Sequence, residues 1–321
     1  MKSFLNGLLL MGLALFVSCK QSADTTGGST PKPFVVGKNR FTIKVDGDDR
    51  EYYVHVPASY TGKTAVPVVI MCHGTSGDGE KFYNISGWKE LGEVQNVITV
   101  FPSSWAYCVI DDGVRKNTTK WNVYPGSFTY CSGETPRDDI KFMRSMIDEI
   151  KQKYEVDSKR IYLVGFSNGG EFASRCMIEL SDILAACVAN AGPLPANSTY
   201  TPKRLLPIIL QIGNSDDKLL ALLGTKTDVP MALNQLLIQY PVVQTVLNAY
   251  ISSFKTKTTY TAQGDPSTYT WYDYAGTSGN SENFLRFVLV KGLDHQYPNG
   301  VNHPMKGAEV HWNWMKDFKL P

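Results

Sequence analysis

Short apolar runs alternate with amphipathic segments along most of the chain. Residues 41–45 and 50–56 alternate apolar and polar positions around an Asp/Gly turn, which predicts an antiparallel hairpin. Further runs are almost continuously apolar, which predicts strands that are buried on both faces of a parallel sheet. These runs are residues 66–71, 97–101, 161–164, 184–189, 207–212 and 285–290.

Amphipathic helices are expected between these strands. Apolar positions at helical spacing predict a helix over residues 136–154, with Thr135 as N-cap and Asp138 as the acid of a capping box. A second helix is predicted to start at Ser167. The pattern therefore predicts one α/β domain over residues 34–321, built on a mostly parallel, doubly wound sheet of about eight strands with an N-terminal antiparallel hairpin.

The N-terminal segment differs from the rest of the chain. Residues 1–18 combine Lys2 with an apolar run too short to span a bilayer, which is typical of a signal peptide. A small residue before Cys19 indicates a bacterial lipoprotein cleavage site and predicts a lipidated Cys19; the alternative is an ordinary secretory signal. Residues 19–33 are rich in Ser, Thr, Gly and Pro, which predicts a flexible tether. We expect a membrane-anchored lipoprotein, periplasmic or on the cell surface.

Composition and charge narrow the possible partners. The 321 residues are 43% hydrophobic and 19% charged, which is typical of a globular protein with a sizeable core. Lys and Arg (32) nearly balance Asp and Glu (30), so the chain lacks the basic excess of nucleic-acid-binding proteins. We expect a monomer that binds no nucleic acid and meets a membrane only through its lipid anchor.

Five cysteines lie beyond Cys19. None has zinc-site spacing to another cysteine or a histidine, so no structural metal is predicted. Cys108 and Cys131 lie in one loop region, where an oxidising compartment would allow them to pair, although the sequence leaves that pairing open. The others lie in apolar segments and are predicted to be unreactive core thiols: Cys72, Cys176 and Cys187.

The strongest chemical motif is a G-x-S-x-G sequence between a predicted strand and a predicted helix, within residues 161–170. This motif places its serine on a sharp turn, where Gly165 and Gly169 avoid collisions with neighbouring elements. The turn also places Ser167 at a helix N-terminus, where free backbone N–H groups favour developing negative charge. The pattern predicts Ser167 as a catalytic nucleophile.

A serine nucleophile needs a histidine to accept its proton and an acid to orient that histidine. After this motif the acid and then the histidine follow along the chain, at the ends of later strands. The predicted strand over 207–212 is followed by Asp216 and Asp217, and the strand over 285–290 is followed by His295. Either aspartate satisfies the pattern.

The remaining polar candidates near these strands are assigned other roles. Among the histidines after the motif, His303 falls in a predicted loop and His311 in a predicted C-terminal helix, so surface or packing roles are expected for both. His295 is therefore predicted as the general base. Asp294 is predicted to be a solvated loop acid.

An oxyanion hole is expected from two backbone N–H groups. The first is that of Asn168, the residue after the nucleophile. The second comes from the loop after the predicted strand over 66–71, where Thr75 is the favoured donor and Gly74 allows close approach. His73 in the same loop is predicted to brace it.

Aromatic residues cluster on loops after the third and fourth predicted strands. Such a cluster is typical either of a platform for an aromatic acyl group or sugar ring or of simple loop packing. Trp105 and Trp121 are our candidates for substrate contact. The cluster consists of Trp88, Trp105, Tyr107, Trp121, Tyr124 and Tyr130.

Together these motifs resemble the esterase family of secreted polyhydroxybutyrate depolymerases and feruloyl or acetyl-xylan esterases, carbohydrate esterase family one and its relatives. The resemblance runs from about Phe41 to the C-terminus. It is most specific over residues 138–150 and 154–170, and it includes the His73-Gly74 loop and the Trp121-Asn122 pair.

The resemblance implies an α/β-hydrolase fold and a triad of Ser167, Asp216 and His295, which favours Asp216 over Asp217 as the acid. It implies acyl-ester hydrolysis with no metal or organic cofactor. We therefore predict a serine esterase that cleaves feruloyl or acetyl esters on plant polysaccharide. The alternatives are a polyhydroxyalkanoate depolymerase, a lipase or peptidase on the same fold and, in a different class, a non-catalytic glycan-binding lipoprotein.

The chain departs from the family pattern on the substrate side of the expected site. The family often has a histidine at the position of Ile212 and a tryptophan at that of Tyr297. Residues 219–261 also form a longer segment than expected, with two apolar helical pieces that meet at Pro241. We expect Tyr297 to contact substrate and the longer segment to form a wall of the acyl or sugar pocket.

Overall fold

The central element of the computed structural model is a ten-stranded sheet, formed within residues 33–196, 198–279 and 283–321, which are the residues that the structure describes. These described residues belong to one compact unit. The predicted signal peptide and Cys19 lie outside them. In spatial order the strands are β1 (Gly37–Val45), β2 (Asp48–Val56), β4 (Ile98–Pro102), β3 (Val66–Cys72), β8 (Val156–Phe166), β9 (Ala186–Asn190), β10 (Ile208–Gly213), β13 (Phe284–Val290), β12 (Tyr269–Ala275) and β11 (Thr261–Asp265).

The sheet confirms the predicted fold class. Strands β4, β3, β8, β9, β10 and β13 run parallel, and β1 and β2 form the predicted antiparallel hairpin at one edge. The count of about eight strands was too low, because β12 and β11 add a second antiparallel hairpin at the other edge. Strand β11 is exposed along its whole length, so it carries no alternating apolar pattern to reveal it.

A small three-stranded antiparallel sheet within the described residues was also not predicted. Its strands are β5 (Trp105–Asp111), β6 (Val114–Lys120) and β7 (Thr129–Tyr130). A disulfide joins Cys108 in β5 to Cys131, so the pairing that the sequence left open is formed. With a sequence separation of 23, loop-closure entropy predicts a stabilisation of about 3 kcal/mol.

Helices cover both faces of the main sheet. They are α1 (Gly79–Ile85), α2 (Trp88–Gln95), α3 (Asp139–Lys153), α4 (Asn168–Glu179), α5 (Asp217–Leu222), α6 (Leu233–Gln239), α7 (Pro241–Phe254) and α8 (Gly307–Met315). One apolar core packs α3, α4 and α7 against the sheet, and a second packs α1, α2 and α8. Among the residues that the structure describes, no helix has both the length and the apolar character needed to cross a bilayer.

Helix α3 begins three residues later than predicted. Asp138 is its N-cap, and the Asp138 side chain accepts a hydrogen bond from the backbone N–H of Lys141. The preceding residues are held elsewhere, because the Arg137 backbone N–H donates to the Tyr107 hydroxyl and the Arg137 guanidinium pairs with Asp48. These tertiary contacts explain why Thr135 does not cap the helix.

Candidate active site

The serine of the G-x-S-x-G motif lies on a tight turn between β8 and α4. Ser167 has φ 55° and ψ −124°, a left-handed conformation that is strained for a residue with a side chain. A Cβ atom on Gly165 would lie 1.9 Å from the Gly169 carbonyl oxygen, and one on Gly169 would lie 2.3 Å from that of His73. Both positions therefore require glycine, as the motif predicts.

The structure brings Ser167, His295 and Asp216 into one hydrogen-bonded line. His295 Nε2 lies 2.8 Å from Ser167 Oγ, and His295 Nδ1 lies 2.8 Å from Asp216 Oδ2. Asp216 is buried, whereas the His295 side chain is 19% exposed and Ser167 is half-buried. In this arrangement the imidazole can accept the serine proton, and the carboxylate fixes the tautomer that leaves Nε2 free to do so.

Asp216, and not its neighbour Asp217, faces the histidine. Asp216 is the N-cap of α5, and its Oδ1 accepts the backbone N–H groups of Lys218 and Leu219 at 3.0 Å, which leaves Oδ2 for His295. Asp217 is exposed, and its backbone N–H donates to Asp294 at 3.2 Å. Helix capping therefore decides which carboxylate turns inward.

The same residues have the spacing of a possible cation site. In the part of the chain that the structure describes, the ligand atoms of Asp216, Asp217 and His295 lie within 4.8 Å of one another. Both ring nitrogens of His295 are already engaged by Ser167 and Asp216. The donor set therefore fits a proton relay better than metal coordination.

The two predicted oxyanion donors flank the nucleophile. Asn168 is the first residue of α4, so its backbone N–H has no partner within the helix. The loop that contains Thr75 passes close to Ser167, because a Cβ atom on Gly74 would lie 3.1 Å from the Ser167 Cβ. Thr75 itself is exposed on this loop. The roles of Asn168 and Thr75 as donors stay predictions.

Trp121 links the segments that carry the two predicted donors. Its indole N–H donates to the His73 carbonyl at 2.9 Å, and its backbone N–H donates to Asn168 Oδ1 at 2.7 Å. The ring stacks on Phe172 and is fully buried. The expectation that Trp121 contacts substrate was therefore wrong, because its ring is enclosed by protein and braces the site from behind.

His73 also braces the loop. Its Nδ1 donates to the Gly74 carbonyl at 2.7 Å, and its Nε2 accepts the backbone N–H of Ser104 at 3.0 Å. Burial lowers the pKa of His73 to about 4, so the ring is neutral at physiological pH. A neutral ring matches this pattern of one donated and one accepted hydrogen bond.

The contacts of the other two candidates for substrate contact are with residues outside the triad. Tyr297 is buried, and its hydroxyl accepts the indole N–H of Trp88 at 2.9 Å, so the expected role of Tyr297 in substrate contact was wrong. Trp105 is half-buried, with the Arg137 guanidinium 4.7 Å from its ring centroid. It lines a groove to which no triad residue contributes. These contacts give no support to the expected role of Trp105 in substrate contact.

Glu171 is a residue of the site that the sequence analysis overlooked. It lies in the first turn of α4, and its backbone N–H donates to the Ser167 carbonyl at 2.9 Å. The Asn168 side-chain amide donates to its carboxyl at 3.1 Å. Burial raises the pKa of Glu171. The sequence did offer a signal for Glu171. An acid four residues after Ser167 falls in the first turn of the helix that begins there, and so lies at the same helix end as the serine.

Comparison with known proteins gives a family match. The family described as phospholipase/carboxylesterase matches residues 59–236, more than half of the chain. Feruloyl esterase B of Piromyces equi is 26% identical over 280 residues, which cover 85% of this chain and 46% of that protein. A bifunctional acetylxylan esterase/xylanase of Neocallimastix patriciarum is 25% identical over 173 residues, 54% of this chain and 22% of that protein. The chain thus spans less than half the length of these relatives.

A solved structure supports the fold assignment independently. The acetyl xylan esterase from Aspergillus awamori superposes with a TM-score of 0.54 at 15% sequence identity. The superposition covers 87% of this chain and 99% of that structure. At this level of identity the similarity concerns the fold alone.

Proposed function

The chain belongs to the phospholipase/carboxylesterase family, and from that premise we propose that it is an esterase of the α/β-hydrolase type that works through a triad of Ser167, His295 and Asp216. The observation that carries this proposal is the continuous line of hydrogen bonds from Ser167 Oγ through His295 to Asp216 Oδ2. It contains each group that serine-dependent acyl transfer requires, in the required order.

In the proposed reaction, Ser167 Oγ attacks the ester carbonyl carbon while His295 Nε2 takes the hydroxyl proton. The backbone N–H groups of Asn168 and Thr75 hold the negative charge that develops on the carbonyl oxygen. Asp216 stabilises the imidazolium, which then gives its proton to the departing alcohol. Water, deprotonated by His295, next attacks the acyl-enzyme, and the carboxylic acid leaves as Ser167 regains its proton.

We propose that the natural substrates are acyl esters of the feruloyl or acetyl type on plant polysaccharide. The support is the similarity to relatives named feruloyl esterase and acetylxylan esterase. Rates on methyl ferulate, acetylated xylan and a polyhydroxybutyrate film, measured side by side, test this choice. Faster release from the polyester than from both of the other substrates would favour the depolymerase alternative.

The triad is tested with 4-nitrophenyl acetate and a fluorophosphonate probe. We expect Ser167→Ala to lower kcat by about 10⁴-fold and to abolish labelling, because only the oxyanion hole and substrate binding remain. Ser59→Ala is the matched control, since Ser59 is exposed and its hydroxyl bonds to Asn96 outside the site. A Ser167→Ala variant with undiminished hydrolysis would refute the triad. A wild-type chain that neither labels nor cleaves esters would point to a binding protein.

We also propose that Cys19 carries the lipid that anchors the protein to a membrane. The support is the sequence pattern of a short apolar run that ends at Ser18-Cys19, followed by a tether. Metabolic labelling with an alkyne fatty acid should mark the wild-type chain and not Cys19→Ala. Secretion of an unlabelled wild-type chain would indicate an ordinary secretory signal.

A further inference from the structure

An apolar pocket of about 280 Å³ opens beside the triad, beneath helices α5, α6 and α7. All three helices line it with aliphatic side chains, and residues of β10, β13 and the loop after β9 complete the lining. Representative lining residues are Leu219 and Leu222 from α5, Leu236 from α6, Val243 and Val246 from α7, and Ile212 from β10. The long segment after residue 219 therefore forms a wall of a pocket at the candidate site.

The pocket reaches two residues of the triad, Asp216 and His295. His295, whose Nε2 lies 2.8 Å from Ser167 Oγ, is part of its lining. Gly192 also lines it, and a Cβ atom at this position would lie 2.2 Å from the Ser167 carbonyl oxygen. Glu171 lines it too and bonds to that same carbonyl. A group attached to an ester at Ser167 therefore has direct access to this space.

The chemistry of the walls selects an aliphatic ligand. The ionisable side chains among the lining residues are Asp216 and His295 of the triad, Glu171 and the exposed Lys218. Asp216 already accepts three hydrogen bonds, and the Glu171 carboxyl is held by Asn168. The aliphatic walls contribute no side-chain donor or acceptor, so a phenolic hydroxyl bound among them would lose its hydrogen bonds to water.

Size and exposure are compatible with this ligand. The pocket of about 280 Å³ has room for an alkyl chain of several carbons, since a cavity of roughly 150 Å³ already binds benzene. At its rim, Leu222 is 71% exposed and Val242 is 40% exposed. Large aliphatic residues left in water beside a binding site are typical of a surface that an apolar ligand covers. A larger groove of about 670 Å³ contains no triad residue, so its volume does not compete with this assignment.

We propose that this pocket binds an aliphatic chain of the ester substrate, so that the enzyme prefers alkyl chains of roughly four to eight carbons over acetate. This inference rests on the proposed function, because it assumes that the triad cleaves the ester. Of the two acyl types in the proposed function, it favours the aliphatic acetyl type over the feruloyl type, and it extends the aliphatic type to longer alkanoyl or alkyl esters. The chain can belong to either the acyl or the alcohol part of the ester, and the experiment separates the two.

The test measures kcat/KM of the wild-type chain in two series. The acyl series runs through 4-nitrophenyl acetate, butyrate, hexanoate, octanoate and dodecanoate, and the alcohol series runs through ethyl, butyl, hexyl and octyl acetate. Each methylene that enters the pocket is expected to raise kcat/KM by about fourfold until the pocket is full. A rise confined to the acyl series identifies an acyl pocket, and a rise confined to the alcohol series identifies an alcohol pocket.

A pair of variants locates the effect. Val246→Phe fills part of the pocket and should shift the hexanoate-to-acetate ratio of kcat/KM by at least about tenfold towards acetate. Ile238→Phe is the matched control, because Ile238 lies on α6, is 80% exposed and does not line the pocket. This control should leave the ratio unchanged.

The outcomes separate failure of this inference from failure of the proposed function. Rates that are flat in both series, or a methyl ferulate rate above that of hexanoate, would overturn the pocket assignment while a Ser167-dependent esterase remains. An absence of Ser167-dependent cleavage of any ester would overturn the proposed function itself. The wild-type chain-length profile decides the matter even if Val246→Phe does not fold.

Discussion

Two histidines in this molecule stand in matching hydrogen-bond lines but in different surroundings. His295 lies between the Ser167 hydroxyl and a carboxylate oxygen of Asp216. His311 lies between the Tyr297 hydroxyl, at 3.1 Å, and the side-chain carbonyl oxygen of Gln211, at 3.0 Å. Each ring nitrogen has one oxygen partner in both lines, so connectivity alone does not distinguish a reactive histidine from a structural one.

The difference lies in charge and access. Asp216 offers a negative carboxylate to an imidazole that is 19% exposed at the strand ends, whereas Gln211 offers a neutral amide to an imidazole that is fully buried. Burial lowers the pKa of His311 to about 3, so this ring stays neutral and bridges Tyr297 and Gln211 by hydrogen bonds. A histidine can serve as a general base only where the protonated ring is stabilised and the substrate can reach it.

The largest expected effect comes from a substitution that makes the hydrogen-bond line of His295 resemble that of His311. Asp216→Asn replaces the carboxylate with an amide, which no longer stabilises the imidazolium or fixes the reactive tautomer, so kcat should fall by about 10⁴-fold. Asparagine is also a good N-cap, so α5 should persist. Hydrolysis of 4-nitrophenyl acetate measures the effect, with the exposed Asp217→Asn as control. If Asp217→Asn were the more damaging variant, the assignment of the acid would be reversed.

An intermediate effect is expected on stability in acid. The pKa of His311 is about 6.5 when unfolded and about 3 when folded, so the unfolded chain binds the proton first as the pH falls. The contribution of His311 to the free energy of unfolding is fully present above pH 6.5 and should decline by about 3 kcal/mol by pH 4. Urea unfolding at both pH values should show a smaller decline in the free energy of unfolding for His311→Gln than for the half-buried control His303→Gln. Equal declines in the two variants would contradict the buried neutral ring.

The smallest effect concerns a third histidine, His73, which lies near the nucleophile but resembles His311 in its burial. Trp121→Phe keeps the stacking on Phe172 and removes the indole N–H bond to the His73 carbonyl. Without this bond the loop is held less firmly, and the transition state should lose about 1 kcal/mol of stabilisation. We therefore expect kcat to fall by about fivefold. Single-turnover kinetics should show the loss in the acylation step, with little change in KM. An unchanged kcat would mean that the loop holds its position without this bond.

Much of the fold was readable because burial on both faces leaves an uninterrupted apolar pattern. The parallel strands and the first hairpin were predicted in nearly their observed places. The exposed strand β11 and the largely polar strand β6 were not, since neither has a buried face along its full length. Strand β12 did carry a signal that the sequence analysis did not use, a run of aromatic and β-branched residues over 269–272 of the kind enriched in strands.

The tight turn that carries Ser167 was determined by the sequence itself, because its constraints act within a few residues. Gly165 and Gly169 are required by contacts that would lie at 1.9 and 2.3 Å, and a strand and a helix adjoin Ser167 directly. Position after a strand likewise identified His295 as the candidate base. Local backbone geometry of this kind leaves a readable motif.

Only the tertiary structure decided which partners meet across the sheet. It turned Asp216 rather than Asp217 towards a histidine 79 residues away, enclosed the rings of Trp121 and Tyr297, and joined Cys108 to Cys131. It also arranged α5, α6 and α7 around an apolar pocket beside His295. The physical reason is that side-chain contacts between distant segments depend on how the whole sheet and its helices pack, and a short stretch of sequence does not encode that packing.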